Sequence, residues 1–255
     1  MLSVTPIPAF GDNYIWLLRQ DTSSEICVVD PGDAAPVIEL IEREKLTLST
    51  VLITHHHRDH TGGLPELIER YSPHVIGPAN PKIDGIDERV GEGDVFRMMG
   101  RRFEVHEVPG HTLDHIAFFT AGIPPLLFCG DTLFRAGCGR LFEGTPAQMH
   151  ASLSQLSALP DETLVFAAHE YTLANLRFAL AADPHNPDVA QAMEECQRAR
   201  ELDRPTLPST LGQEKRINPF LRVSEAGVRR AAAEHGDTDS AEATFATLRA
   251  WKDNF

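Results

Sequence analysis

The sequence predicts an α+β protein in which a strand-rich portion, residues 1–170, precedes a mainly helical one, residues 171–255. Three observations carry this. Short apolar, β-branched runs alternate with turn signals through the first two thirds of the chain. Four of those runs lead into a residue able to ligate metal. After Glu170 the apolar positions recur at helical spacing instead. With 255 residues, 42% of them hydrophobic, the chain is long enough for one large domain with an appendage.

In order, residues 14–18 (Y-I-W-L-L) and 26–29 (I-C-V-V) read as strands, the second closing on Asp30-Pro31-Gly32, a strong turn signal. Residues 34–45 carry apolar side chains at helical spacing (Val37, Ile38, Leu40, Ile41). A buried strand over 48–53 then runs into T-H-H-H-R-D-H-T-G-G at 54–63. Thr61-Gly62-Gly63 supplies a turn before a helical pattern over 64–70, and Val75-Ile76 marks a further strand. Later apolar runs at 103–108, 125–129 and 163–168 are followed by His111, Asp131 and His169. Residues 171–182 read as a helix. Asn186-Pro187 opens another that runs to about Arg204, with Asn as cap and Pro in the first turn. A proline-containing stretch, 205–219, interrupts, and two more helical segments follow at 224–234 and 239–252.

The chemistry lies in the histidine motif. Residues two apart at the end of a strand point the same way, so His55 and His57 can converge on one point. Asp59 and His60, in the turn, can face a second. H-x-H-x-D-H is the sequence form of a two-metal site, with imidazole and carboxylate donors and no thiolate. Strands that share an edge would bring His111, Asp131 and His169 to the same place. Seven candidate ligands result: His55, His57, Asp59, His60, His111, Asp131 and His169. Asp131, the acidic donor outside the motif, is the best bridging group. Two divalent ions about 3.5–4 Å apart make hydroxide available at neutral pH and polarise a carbonyl, so metal-assisted hydrolysis is the expected reaction class. His56 should point away from its neighbours, and His115 is a candidate for an outer layer of support. Cys138 as a nucleophile has no evident local base.

Composition narrows the alternatives. With 23 basic against 37 acidic residues the net charge is −14, which disfavours nucleic acid. No segment approaches the ~20 apolar residues of a membrane span. Residues 1–10 have no secretory pattern, and the four scattered cysteines fit reduced thiols, so a cytoplasmic home is expected. A monomer is the expected state, although no residue pattern fixes it.

The motif at 54–63, P-G-H-T at 109–112, F-C-G-D-T-L-F at 128–134, C-G-R-L-F-E-G-T at 138–145 and A-H-E-Y-T-L-A-N at 168–175 together resemble glyoxalase II, hydroxyacylglutathione hydrolase. So do P-A-F-G-D-N-Y-I-W at 8–16 and L-R-A-W-K-D-N-F at 248–255, and the resemblance spans the chain. H-x-H-x-D-H alone specifies only the metallo-β-lactamase superfamily. The resemblance implies a four-layer αβ/βα sandwich followed by a helical C-terminal domain that contributes to glutathione binding. It implies His55, His57 and His111 on one metal, Asp59, His60 and His169 on the other, and Asp131 bridging, with Asp59 and Asp131 as the catalytic carboxylates. Zinc is the expected metal, with iron and manganese open. The implied reaction converts S-D-lactoylglutathione and water to D-lactate and glutathione, the second step of methylglyoxal detoxification. Arg140, Arg249 and Lys252 match positions that bind the glutathione carboxylates, and Tyr171 one that contacts the peptide portion. Phe142 stands where many relatives have a second tyrosine. A glutathione persulfide dioxygenase or a lactonase of the same superfamily is the alternative. The complete second ligand set argues against the dioxygenase, and the C-terminal cations argue against the lactonase.

Overall fold

The computed structural model describes residues 2–21 and 23–255, which fall into two compact units. The first runs through Glu107 and adds Asp114–Gly130; the second comprises Val108–Leu113 and Asp131–Phe255.

In the first unit, β1 (Leu2–Ala9), β2 (Asn13–Gln20), β3 (Glu25–Val29), β4 (Thr47–Leu52), β5 (His74–Pro78) and β6 (Glu88–Val90) lie side by side in that order. The first two pairings are antiparallel and the other three parallel. Parallel neighbours need a crossover. Helix α1 (Ala35–Glu44) connects β3 to β4; the short α2 (Arg58–Thr61) and α3 (Leu64–Tyr71) connect β4 to β5. Helix α1 buries Val37, Ile38 and Ile41 in a core shared with Val28, Val51 and Leu67. Strands β7 (Val95–Met98), β8 (Arg101–Glu107), β9 (Ile116–Thr120) and β10 (Leu126–Gly130) follow, each antiparallel to the next. Strand β8 alternates, with Phe103 and Val105 buried between polar neighbours, whereas β9 and β10 are buried throughout. That difference is why β8 reads as a period-two pattern and β10 as an unbroken apolar run.

The second unit contains a small hairpin of β11 (Leu133–Phe134) and β12 (Gly137–Cys138), then α4 (Pro146–Ser157) and β13 (Leu164–Ala167). Helices α5 (Thr172–Ala182) and α6 (Pro187–Glu201) follow, and β14 (Ser209–Thr210) pairs antiparallel with β13. Helices α7 (Leu211–Ile217), α8 (Ala226–Ala232) and α9 (Ala241–Asp253) complete the chain. Asn186 caps α6 by accepting from the Asp188 amide at 3.0 Å, as its Asn-Pro opening predicts. Phe178, Phe220, Phe245 and Trp251 form a chain of ring contacts between 5.0 and 5.8 Å through this unit.

The structure departs from the sequence reading in two segments. Asp59 and His60 sit in α2, one helical turn opened by His57, rather than in a loose turn. The stretch 205–219 holds β14 and α7 where an interruption was expected. Among the described residues no helix is long and apolar enough to cross a membrane.

Phe118 is fully buried, edge-on to Phe96, which in turn stacks on Phe103. Truncation to alanine removes an aromatic side chain from this packing, so Phe118→Ala is expected to lower the unfolding free energy by about 3–5 kcal/mol. Urea titration of variant and parent checks this.

Candidate metal centre

Four of the seven expected ligands belong to the first unit. They follow β4, whose fully buried end and Ile53 fix the direction in which Thr54 and His55 leave the sheet. His55 lies between two imidazoles: its ring centroid is 4.8 Å from that of His57 and 4.1 Å from that of His60. His115 stacks on its other face at 4.5 Å, nearly parallel. Asp59 Oδ2 is 3.5 Å from His60 Nε2. His56 turns elsewhere, its Nδ1 2.8 Å from Asp114 Oδ1 and its Nε2 3.2 Å from Lys82 Nζ.

A layer of polar groups holds these donors. The Asp30 carboxylate is buried and accepts from the Thr54 amide (2.8 Å) and hydroxyl (2.7 Å). Its Oδ2 also meets His60 Nδ1 at 3.0 Å, which leaves Nε2 as that ring's outward nitrogen. Asn13, at the start of β2, donates to Asp59 Oδ2 at 3.2 Å. Close backbone approach is also required. A Cβ on Gly32 would stand 1.8 Å from the Asp59 carbonyl oxygen, so α2 can seat against the β3 turn only over a glycine.

The other three expected ligands belong to the second unit, where Asp131 is the centre. His111 Nε2 is 3.3 Å from its Oδ2, and His169 Nε2 is 3.3 Å from its Oδ1. One carboxylate therefore presents each oxygen to a different imidazole. His111 is oriented through its other nitrogen, Nδ1, 2.7 Å from the Arg140 carbonyl oxygen. His169 is covered by Tyr171, stacked at 4.7 Å and 6°, and Phe134 stands edge-on to both rings.

The cationic side chains lie in this unit too. Asp253 Oδ1 accepts from Arg249 Nη2 at 2.9 Å and from Arg140 Nε at 3.3 Å. Arg249 is buried, donates to the Cys138 carbonyl at 2.9 Å and lies over the Phe220 ring. Lys252 is placed over the Phe178 and Phe255 rings, and its ammonium is pushed below the usual lysine range by burial first, then by Arg249 and Arg177. Neither residue is the freely solvated charge that its sequence context alone would favour.

Imidazole and carboxylate donors of this kind suit borderline divalent ions, and the histidine and aspartate clusters fit a divalent metal site. Residues 9–169 match the metallo-β-lactamase superfamily, and residues 170–255 match the hydroxyacylglutathione hydrolase C-terminus. The chain is 66% identical to a hydroxyacylglutathione hydrolase of Chromohalobacter salexigens over 255 residues, all of both proteins. It is 52% identical to one of Photobacterium profundum, again over the full length of each. The chain belongs to the hydroxyacylglutathione hydrolase family.

Among solved structures, ETHE1 from Myxococcus xanthus superposes with a TM-score of 0.64 at 25% identity, covering 89% of this chain and 90% of that one. TTHA1623, solved in a di-iron-bound form, gives 0.62 at 25% identity over 85% and 100%. Family membership makes the protein a thioester hydrolase acting on a glutathione thioester, and the superfamily alternatives are not favoured. The setting of Cys138 disfavours it as a nucleophile. Burial pushes its thiol up, and Arg249 only partly offsets that. Phe142 is exposed and edge-on to His111 at 5.2 Å.

The sequence reading treated Asp30 as a turn residue and passed over Asn13. Asp30 follows β3 directly and sits beside the β4 end, so the strand-end pattern that singled out Asp131 applied to it equally. Replacing Asp30 by alanine frees the His60 ring and is expected to weaken metal binding about 10- to 100-fold. Competition for zinc against a chromophoric chelator measures it.

Proposed function

We propose that this hydrolase is a dinuclear metal enzyme acting on S-D-lactoylglutathione, giving D-lactate and glutathione as the second step of methylglyoxal detoxification. The observation that carries the dinuclear reading is Asp131, with one imidazole at each carboxylate oxygen. In this reading His55, His57 and His111 hold one ion, Asp59, His60 and His169 the other, and Asp131 both. Residues 1–170 act as the catalytic domain and 171–255 as the helical domain that completes glutathione binding. Zinc is the proposed metal, with iron or manganese compatible with the same donors.

When bound, the ions supply a hydroxide-strength nucleophile at neutral pH and polarise the thioester carbonyl. The chain's own residues do the rest. Asn13 and Asp30 keep the Asp59 carboxylate and the His60 ring from turning. The Arg140 carbonyl at His111 Nδ1 leaves Nε2 as the nitrogen facing Asp131. Arg140 and Lys252 attract the glutathione carboxylates, Arg249 completes the cationic group from beneath through Asp253, and Tyr171 meets the peptide portion. The leaving thiolate has a parent pKa of ~8.5, so no side chain need protonate it in the rate-determining step. The cytoplasm is the proposed compartment and the monomer the proposed state. Four buried cysteines, in keeping with reduced thiols, support the first.

Metal-replete protein is expected to release thiol from S-D-lactoylglutathione rapidly and chelator-stripped protein not at all, with activity returning on metal addition. Thiol titration reads this; undiminished release by fully stripped protein would sink the metal reading. The lowered Lys252 ammonium gives a second test. Below its pKa Lys252 is charged and attracts a carboxylate, and above it the attraction is lost. The inhibition constant of S-methylglutathione should therefore climb with pH below the ordinary lysine range, and that part of the climb should vanish in Lys252→Met.

A further inference from the structure

The hairpin of β11 and β12 touches all three ligands of the second unit. It begins two residues after Asp131; its Phe134 ring stands against His169; and Gly139 and Arg140, just beyond it, meet Asp131 and His111. The contact at Gly139 leaves no room for adjustment, since a Cβ there would lie 1.9 Å from the Asp131 carbonyl oxygen. Yet the hairpin is only two residues per strand, and its turn puts Ala136 at φ +55°, a left-handed conformation that glycine or asparagine would ordinarily supply. Something outside the hairpin must hold it.

Three buried side chains do so, all through the backbone. Asn218 donates to the carbonyl oxygens of Phe134 (3.1 Å) and Gly137 (2.9 Å). Glu214 accepts from the Ala136 amide at 2.7 Å. Asn175 donates to the Arg135 carbonyl at 3.1 Å. Consecutive backbone groups from 134 to 137 are thus met by side chains of α5, α7 and the residue after α7. Glu214 and Asn218 have no exposed surface and meet each other at 3.3 Å, Asn218 Nδ2 to Glu214 Oε2. A fully buried glutamate and asparagine are costly to keep unless their hydrogen bonds are used.

We propose that Glu214 and Asn218 are positioning residues for hydrolysis: by clasping the 133–138 hairpin they set the direction of Asp131, His111 and His169. This rests on the assignment of those three residues as metal ligands. The clasp acts through one acceptor and one donor of fixed geometry. Glutamine at 214 retains an acceptor for the Ala136 amide, whereas methionine of similar length does not. A displacement of order 1 Å at a catalytic constellation lowers turnover by up to about 100-fold.

The test compares Glu214→Met, Glu214→Gln and Asn218→Ser, each loaded with cobalt(II), by thermal melting, cobalt visible spectrum and steady-state kinetics. Asp131→Ala is the control for the ligand assignment. Glu214→Met and Asn218→Ser are expected to lower kcat about 10- to 100-fold with KM within about two-fold, and to shift the cobalt spectrum, while Glu214→Gln restores both. Should Glu214→Met fail to melt cooperatively, Asn218→Ser and Glu214→Gln carry the decision. Parental kcat and an unchanged spectrum in cooperatively folded Asn218→Ser overturn the clasp. An unchanged spectrum and turnover in Asp131→Ala overturn the ligand assignment itself.

Discussion

The contact around which the second unit's candidate ligands are arranged is a carboxylate shared between two imidazoles. Asp131 offers each oxygen to a different histidine at the same 3.3 Å. Holding one short side chain in that pose requires its backbone to be immovable. The chain achieves this by crowding: glycine at 139, just past the hairpin, lets the backbone close over the Asp131 carbonyl, and the hairpin itself is tied down group by group. In the first unit the same problem is solved differently. There a single buried acid, Asp30, receives a backbone amide, a hydroxyl and a histidine nitrogen, and so couples the exit of β4 to the orientation of His60.

The candidate ligands drew attention in the sequence because they gather after the C-terminal ends of apolar runs, and strand runs are the clearest short-range signal a chain carries. The central elements were legible for the same reason, from β2 through β5 and again at β8, β10 and β13. Apart from β9, a fully buried run that the sequence reading passed over, what stayed hidden was mainly of two kinds. Short or edge strands such as β1, β6 and β7 have mixed burial and owe their existence to a neighbour rather than to their own pattern. Helices α4 and α7 were overlooked although both announce themselves, Thr145 with Gln148 and Thr210 with Gln213 forming reciprocal capping boxes in the structure. In α7 the signal was masked by the prolines at 205, 208 and 219, which bound the helix without entering it.

The supporting residues teach a different lesson. Asp30 shares the strand-end position of Asp131, but Asn13, Glu214 and Asn218 are ordinary polar residues in sequence, and nothing about their types or spacing separates them from surface groups. Their roles appear only when burial and partners are known, because an oriented side chain is defined by what it bonds. Arg249 is the sharpest case: in sequence it is one charge among many at the end of a helix, and in the fold it is buried and bonded to a backbone carbonyl and a carboxylate.

All four cysteines are buried, and the thiols of Cys27, Cys138 and Cys196 are pushed up by desolvation. A catalyst that releases glutathione at every turnover works bathed in a thiol that forms mixed disulfides with any oxidised, accessible cysteine. Burial removes the exposed thiolate that such capping needs, so the enzyme is insulated from covalent modification by its own product.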